Sequence, residues 1–260
     1  MNWLSVENYD QMSRHAADQI HAALVTGCAE GQRLNLGLAT GNTMIGLYRL
    51  LAERLNQDQV DLRGLHTYNL DEYVGSDRKA IPESHPLSYR KYMQEQLFDA
   101  LDPALGFTAE QAHFPAPDET DRFDRDLATA GGLDFQLLGI GFNGHIAFNE
   151  PMNATEISAA EFASLPSRTI ALRELTIQTN ARLTAGDDSA LVPRHAVTMG
   201  MKQIVAAREI LLLACFPEQA EPLNKMLHGT PTPELPASCL LGHGNATVVY
   251  TADTIELNTT

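Results

Sequence analysis

The residues from 139 to 151, Gly-Ile-Gly-Phe-Asn-Gly-His-Ile-Ala-Phe-Asn-Glu-Pro, form the chain's richest cluster of glycine and titratable side chains. His145 and Glu150 lie close enough in such a loop to pair. A carboxylate beside an imidazole raises its basicity and fixes its tautomer, as general acid–base work requires. The glycines at 139, 141 and 144 let the backbone turn sharply after a buried strand. A histidine here could also simply tie the loop down, but the density of the cluster favours chemistry. No second histidine or cysteine sits at ligand spacing, so no metal site is expected.

Three further groups bear on chemistry. Asp71 and Glu72 are adjacent acids at the end of an apolar run, suited to acid–base work, metal binding or helix capping. Thr40, Gly41, Asn42 and Thr43 link a strand to a helix, where unpaired amides and the helix dipole can hold an anion. An ordinary tight turn with Thr43 as a cap would look the same. The turn is neither a P-loop nor a dinucleotide fingerprint. Arg182 could clamp phosphate with its planar fork, or lie on the surface of an amphipathic helix.

The patterning around these groups predicts what must position them. Apolar strands are expected at 33–39, 66–70, 135–140, 209–214 and 247–250. Helical periodicity marks 9–24, 44–55, 88–101, 118–130 and 218–227. Buried strands alternating with amphipathic helices imply an α/β fold: an open, mostly parallel, Rossmann-like sheet with helices on both faces. Ligands collect at the carboxyl ends of such strands, where the 40–43, 71–72 and 141–150 segments fall. With no internal repeat or linker, residues 1–260 read as one domain, with a lid at about 152–185.

The 260 residues are 44% hydrophobic and carry a formal charge of −15, from 18 basic against 33 acidic side chains. That charge repels nucleic acid and points to a small anion held in a compact pocket. No apolar run could span a membrane, and Met1 to Glu7 lacks the features of a signal peptide. Three unpatterned cysteines, Cys28, Cys215 and Cys239, suggest free thiols in a reducing compartment. A cytoplasmic protein is therefore expected, and a homo-oligomer is compatible with the sequence.

Taken in order, these segments resemble the glucosamine-6-phosphate deaminase/isomerase family over residues 36–257. The resemblance is carried by residues 36–43, by Tyr68-Asn69-Leu70-Asp71-Glu72-Tyr73-Val74-Gly75, by His85-Pro86 with Ser88-Tyr89, and by residues 139–151. It continues through Ser167-Arg168-Thr169, Asn180-Ala181-Arg182 and Ala196-Val197-Thr198-Met199-Gly200. The related 6-phosphogluconolactonases share the Gly-His but typically close that loop without the glutamate, so Glu150 favours the deaminase branch. The resemblance implies that Asp71 moves a proton between C2 and C1 of an open-chain amino-sugar phosphate. His145 would assist ring opening, oriented by Glu150 and Asn143, while Arg182 and residues 40–43 hold the phosphate. The sugar would be glucosamine 6-phosphate, or else galactosamine 6-phosphate, and no cofactor is implied.

Three departures stand out. Asn143 replaces an aspartate found in some members, and extra residues lie near 77–81 and 154–162. Gln219 falls where the family has a phosphate-gripping lysine, with Glu218 beside it; Lys202 is the substitute cation expected from its place after Gly200. The alternatives are a 6-phosphogluconolactonase-like hydrolase and a non-catalytic sugar-phosphate-binding protein.

Overall fold

The computed structural model describes residues 1–28 and 32–258. Seven parallel strands build the main sheet: β1 (Asn2–Val6), β2 (Leu34–Leu38), β3 (Leu65–Asn69), β5 (Ala112–His113), β6 (Phe135–Gly139), β9 (Glu209–Ala214) and β10 (Ala246–Thr251), in the order β1-β10-β9-β6-β2-β3-β5. Successive residues of a strand face opposite sides, and all of β2 and nearly all of β6 and β9 are buried, so both faces are covered. From β2 the chain winds outward to β3 and β5, and from β6 it winds the other way to β9 and β10. The β2–β6 junction is therefore the switch point, where parallel sheets open a crevice.

Helix α1 (Tyr9–Gly27) starts at Asn8, whose side chain accepts from the Gln11 amide, and buries Met12, Ala16, Ile20 and Leu24 along one stripe. It packs against α2 (Ile45–Gln57). Helix α4 (Thr120–Thr129) precedes β6, and α8 (Ala220–His228) follows β9. The expected helix over 88–101 is shorter: α3 (Tyr89–Gln96) stops, and a separate 3-10 turn covers Phe98–Ala100.

A second sheet departs from the sequence reading. Strands β4 (Asp71–Val74), β8 (His195–Thr198) and β7 (Arg168–Ala171) pair antiparallel in that order. Asp71 and Glu72 therefore open a strand where the patterning expected one to stop. This sheet and α6 (Glu174–Thr184) share a smaller core of Tyr73, Ile81, Leu87, Phe148, Ile177 and Ala196. Residues 152–185, read as a lid, hold α5 (Ala159–Ala163), β7 and α6. Among the described residues, no helix is long and apolar enough to cross a membrane.

Strand alternation sends the two adjacent acids in different directions. Asp71 faces the crevice, while Glu72, fully buried, turns to the start of α3. Its carboxylate accepts from the amides of Tyr73, Tyr89 and Arg90 and from Ser88 Oγ, at 2.8–3.1 Å. Glu72 thus serves as the helix anchor that the sequence left as one of three readings. Glu72→Leu should strand several buried donors and cost on the order of 3 kcal/mol. Urea unfolding with an unchanged m-value checks this; an unaltered midpoint would refute the anchoring role.

Candidate active site

A cavity of about 210 Å³ opens at the switch point. Its walls come from the turns after β2, β3, β6 and β9, roofed by the α6 residues Leu175, Thr176, Thr179, Asn180, Leu183 and Thr184. These recur at helical spacing, while Ile177 and Ala181 root the other side of the helix in the smaller core.

The turn after β6 carries His145. The Gly141 amide donates to the His145 carbonyl at 3.0 Å and the Gly144 amide to the Gly141 carbonyl at 2.8 Å. A Cβ on Gly141 would lie 2.3 Å from the imidazole, so only glycine lets the ring fold back here. Asn143 braces the same turn: its Oδ1 accepts from the His145 amide at 3.1 Å, and its Nδ2 donates to Glu150 Oε2 at 2.7 Å. Glu150 Oε2 stands 3.7 Å from His145 Nδ1, within ion-pair reach but beyond a hydrogen bond. Burial pushes the Glu150 carboxyl up, but the His145 imidazole and the Arg173 amide outweigh it and hold the group at about 2. Asn143 therefore orients Glu150 and the loop backbone rather than the ring.

Asp71 is 7% exposed, and burial raises its carboxyl to about 7 against the pull of its hydrogen bonds and of His145. The Phe148 amide donates to Asp71 Oδ1 at 3.1 Å and to Thr198 Oγ1 at 3.0 Å. Thr198 is the register partner of Asp71 across the second sheet. Asp71 and His145 share the cavity; Glu150 stands behind His145, outside the lining. A carboxyl that titrates near neutrality can both take and return a proton.

Thr40, Gly41, Asn42 and Thr43 all line the opposite wall. Tyr92 donates to the Gly41 carbonyl at 2.7 Å and Tyr9 to the Asn42 carbonyl at 3.2 Å, so the carbonyls are tied back. The amides of Gly41, Asn42 and Thr43 find no protein acceptor among the described residues. With the 13-residue α2 behind them, they form an anion seat.

The cations lie elsewhere. No lysine or arginine is among the lining residues. Arg182 flanks the cavity-facing stripe of α6, about half exposed, with Nη2 2.7 Å from Glu218 Oε1 and its guanidinium 5.7 Å from the Phe142 ring centre, a lining residue. It stands at the mouth. Lys202 is exposed on α7 (Met201–Val205) and does not reach the cavity. The expectation followed the rule for carboxyl ends of parallel strands, but β8, which leads to α7, belongs to the antiparallel sheet. Gln219 is 3% exposed and fully engaged: Oε1 accepts from the Cys215 and Phe216 amides at 2.8 and 2.9 Å, and Nε2 donates to the Ile140 carbonyl at 2.7 Å. It staples the β9 turn to the β6 turn.

The patterning gave no role to Tyr89, Tyr92 or Thr198. Tyr89 lines the cavity beside Tyr73 and Phe148, with ring centres 5.0 and 5.9 Å away. Its place just after the helix-capping Ser88 was the available signal. Thr198 could be found only through strand register.

An α/β enzyme that moves protons on a small anion would be laid out this way, and likeness to known proteins narrows the class. The chain belongs to the family described as glucosamine-6-phosphate isomerases/6-phosphogluconolactonase, whose model matches residues 7–159. It is 39% identical to a glucosamine-6-phosphate deaminase of Geobacillus sp. (strain WCH70), over 99% of this chain and 96% of that one. A Rhodopirellula baltica glucosamine-6-phosphate deaminase is 42% identical over 82% of this chain and 80% of its own. Among solved structures, a monomeric glucosamine-6-phosphate deaminase superposes with a TM-score of 0.84 at 32% identity, covering 98% of both chains. A 6-phosphogluconolactonase of Thermotoga maritima shares the fold, with a TM-score of 0.67 at 19% identity, covering 96% of this chain and 98% of that one.

The Gln219 staple yields a stability prediction. Gln219→Leu should leave two part-buried amides and the buried Ile140 carbonyl without their partner, cost about 1–3 kcal/mol, and lower the thermal midpoint. Gln219→Lys should be destabilised as well, since an ammonium cannot accept from those amides. Calorimetry on both variants checks this; an unchanged midpoint in either would show that the amides find other partners.

Proposed function

We propose that this chain converts an amino-sugar phosphate, glucosamine 6-phosphate in the first instance, to the ketose phosphate and ammonia. The observation that carries the reading is Asp71, a buried carboxyl raised to about 7, in one cavity with His145 and an amide-lined anion seat. In the open-chain sugar the C1 carbonyl acidifies the C2 proton. Asp71 removes that proton, leaving an enol, and returns it to C1. The amine-bearing carbon is then an imine; water adds, ammonia leaves, and a ketose remains. His145, oriented by the loop that Glu150 and Asn143 brace, passes protons during ring opening. Residues 40–43 and Arg182 take the phosphate. Galactosamine 6-phosphate is the second candidate sugar. Support for deamination over lactone hydrolysis is that the deaminase relatives match at 39% and 42%, whereas the lactonase likeness stands at 19% and speaks for the fold.

Ammonia release should be measured with glucosamine 6-phosphate, galactosamine 6-phosphate and unphosphorylated glucosamine, alongside hydrolysis of 6-phosphogluconolactone. Turnover of a phosphorylated amino sugar well above the others is expected. Lactone hydrolysis without ammonia release would overturn the reading.

Asp71→Asn should lower kcat by about 10²–10⁴-fold. In the parent protein, kcat/KM should fall as pH drops below about 7, because the base is then protonated. The same substitution tests the burial argument. A carboxyl raised from 3.8 to about 7 on folding costs stability progressively as pH rises between those values and in full above them. Asp71→Asn should therefore be the more stable protein at pH 8, with the advantage gone below pH 4. Lower stability of the variant at pH 8 would make Asp71 structural instead.

His145 depends on the carboxylate behind it. Glu150→Gln should lower kcat, with less effect on KM, because Glu150 acts through the imidazole and lies outside the cavity lining. A wild-type kcat in this variant would make Glu150 a purely structural brace.

A further inference from the structure

Glu218 lies where an anion would otherwise be expected. It falls in the turn from β9 to α8, at the carboxyl edge of the parallel sheet and the positive end of a nine-residue helix. Its carboxylate meets Arg182 at 2.7 Å, across 36 residues of sequence. A guanidinium and a helix start are groups that recognise a phosphate. Next to it, Gln219 is committed to the staple and can supply no charge.

We infer that the Glu218 carboxylate is a resident stand-in for the substrate's phosphate, holding Arg182 at the cavity mouth and yielding the guanidinium when a phosphorylated sugar arrives. This rests on the proposed reading, in which Arg182 receives the phosphate. Phosphate competes well for Arg182 because it brings more charge and three acceptor oxygens against the carboxylate's two. The resident pair is also half-exposed, at 53% and 42% of the two side chains, so water and salt weaken it. Glu218 thus sets phosphate affinity without closing the site. An unphosphorylated sugar has nothing to exchange for the carboxylate and leaves the pair intact. Glu218 thereby sets the affinity for the phosphorylated substrate: it competes with phosphate for Arg182 while keeping the guanidinium placed to receive it.

The test is a double-mutant cycle of Glu218→Gln and Arg182→Ala, both at exposed positions. Two readouts are needed: binding of inorganic phosphate by calorimetry, and KM and kcat for glucosamine 6-phosphate. Glu218→Gln should tighten phosphate binding and lower KM by about three- to tenfold, with kcat within about twofold. In the Arg182→Ala background the same substitution should change neither. If Glu218→Gln leaves phosphate binding unchanged or weaker while Arg182→Ala weakens it, the stand-in role is wrong and the phosphate reading survives. If Arg182→Ala leaves phosphosugar binding at the wild-type level, the phosphate role of Arg182 fails and takes this inference with it.

Discussion

The site depends on how the chain leaves the parallel sheet after β3. Asn69 ends that strand, Asp71 begins β4, and Leu70 between them donates to the Leu38 carbonyl and accepts from the Met199 amide. One residue thus belongs to the hydrogen-bonding of both sheets. This junction holds Asp71 at the carboxyl edge with its backbone fixed on both sides, and it sets the alternation that buries Glu72 under α3. The loop bearing His145 is tied to the same junction, through the Phe148 amide on Asp71 and Thr198 and through Asn149, whose side chain donates to the Met199 carbonyl at 2.9 Å. Asp71, the His145 loop and the 40–43 turn are each held by contacts with the backbone rather than through long flexible side chains. Such rigidity keeps catalytic geometry from being lost to side-chain entropy.

The electrostatics divide into a buried interior and an exposed mouth. Inside, burial works against the charge on Asp71, so this carboxyl titrates near neutrality, while Glu150, a few ångströms behind His145, is kept ionised by its donors. The carboxyl in the cavity and the one just behind its wall thereby differ by several pH units in protonation, a separation suited to acid–base roles. At the mouth, charge is left to the solvent-facing pair of Arg182 and Glu218. The chain's overall charge of −15 makes this placement consequential, since a diffusing anion meets a repulsive field until it reaches a local cation or a cluster of amides.

Much of this was legible in the sequence because the parallel sheet carries strong signals. Its strands are apolar throughout, as at Leu211-Leu212-Leu213, and its turns are dense in glycine and polar residues, so the pattern alone places residues 40–43 and 139–151 at one edge. The second sheet carries weak signals. Its strands are four residues each, two of them begin with charged residues at Asp71 and Arg168, and β7 is alternately half-buried and exposed, a pattern shared by many loops. Missing that sheet is what misplaced Lys202, because a rule for parallel strands was applied to the end of an antiparallel one. Gln219 was legible as a departure but not as a staple, since its three partners come from two separate turns.

A buried glutamine at 219 contributes hydrogen bonds where a lysine would contribute charge. A lysine at that position would offer a point charge to the ligand and leave the two turn amides to water or substrate. Gln219 satisfies both amides and a carbonyl internally, which ties the β6 and β9 turns together but places no charge in the pocket. The groups there that suit an anion are the free amides of Gly41, Asn42 and Thr43, with Arg182 at the mouth. Amides fixed at a helix start bind with little reorganisation but carry only partial charge, whereas a guanidinium carries full charge and must be oriented by something. Here the group that meets it is Glu218. Residues 218 and 219 thus divide the turn between them: Gln219 staples it to the β6 turn, and Glu218 meets the guanidinium at the cavity mouth.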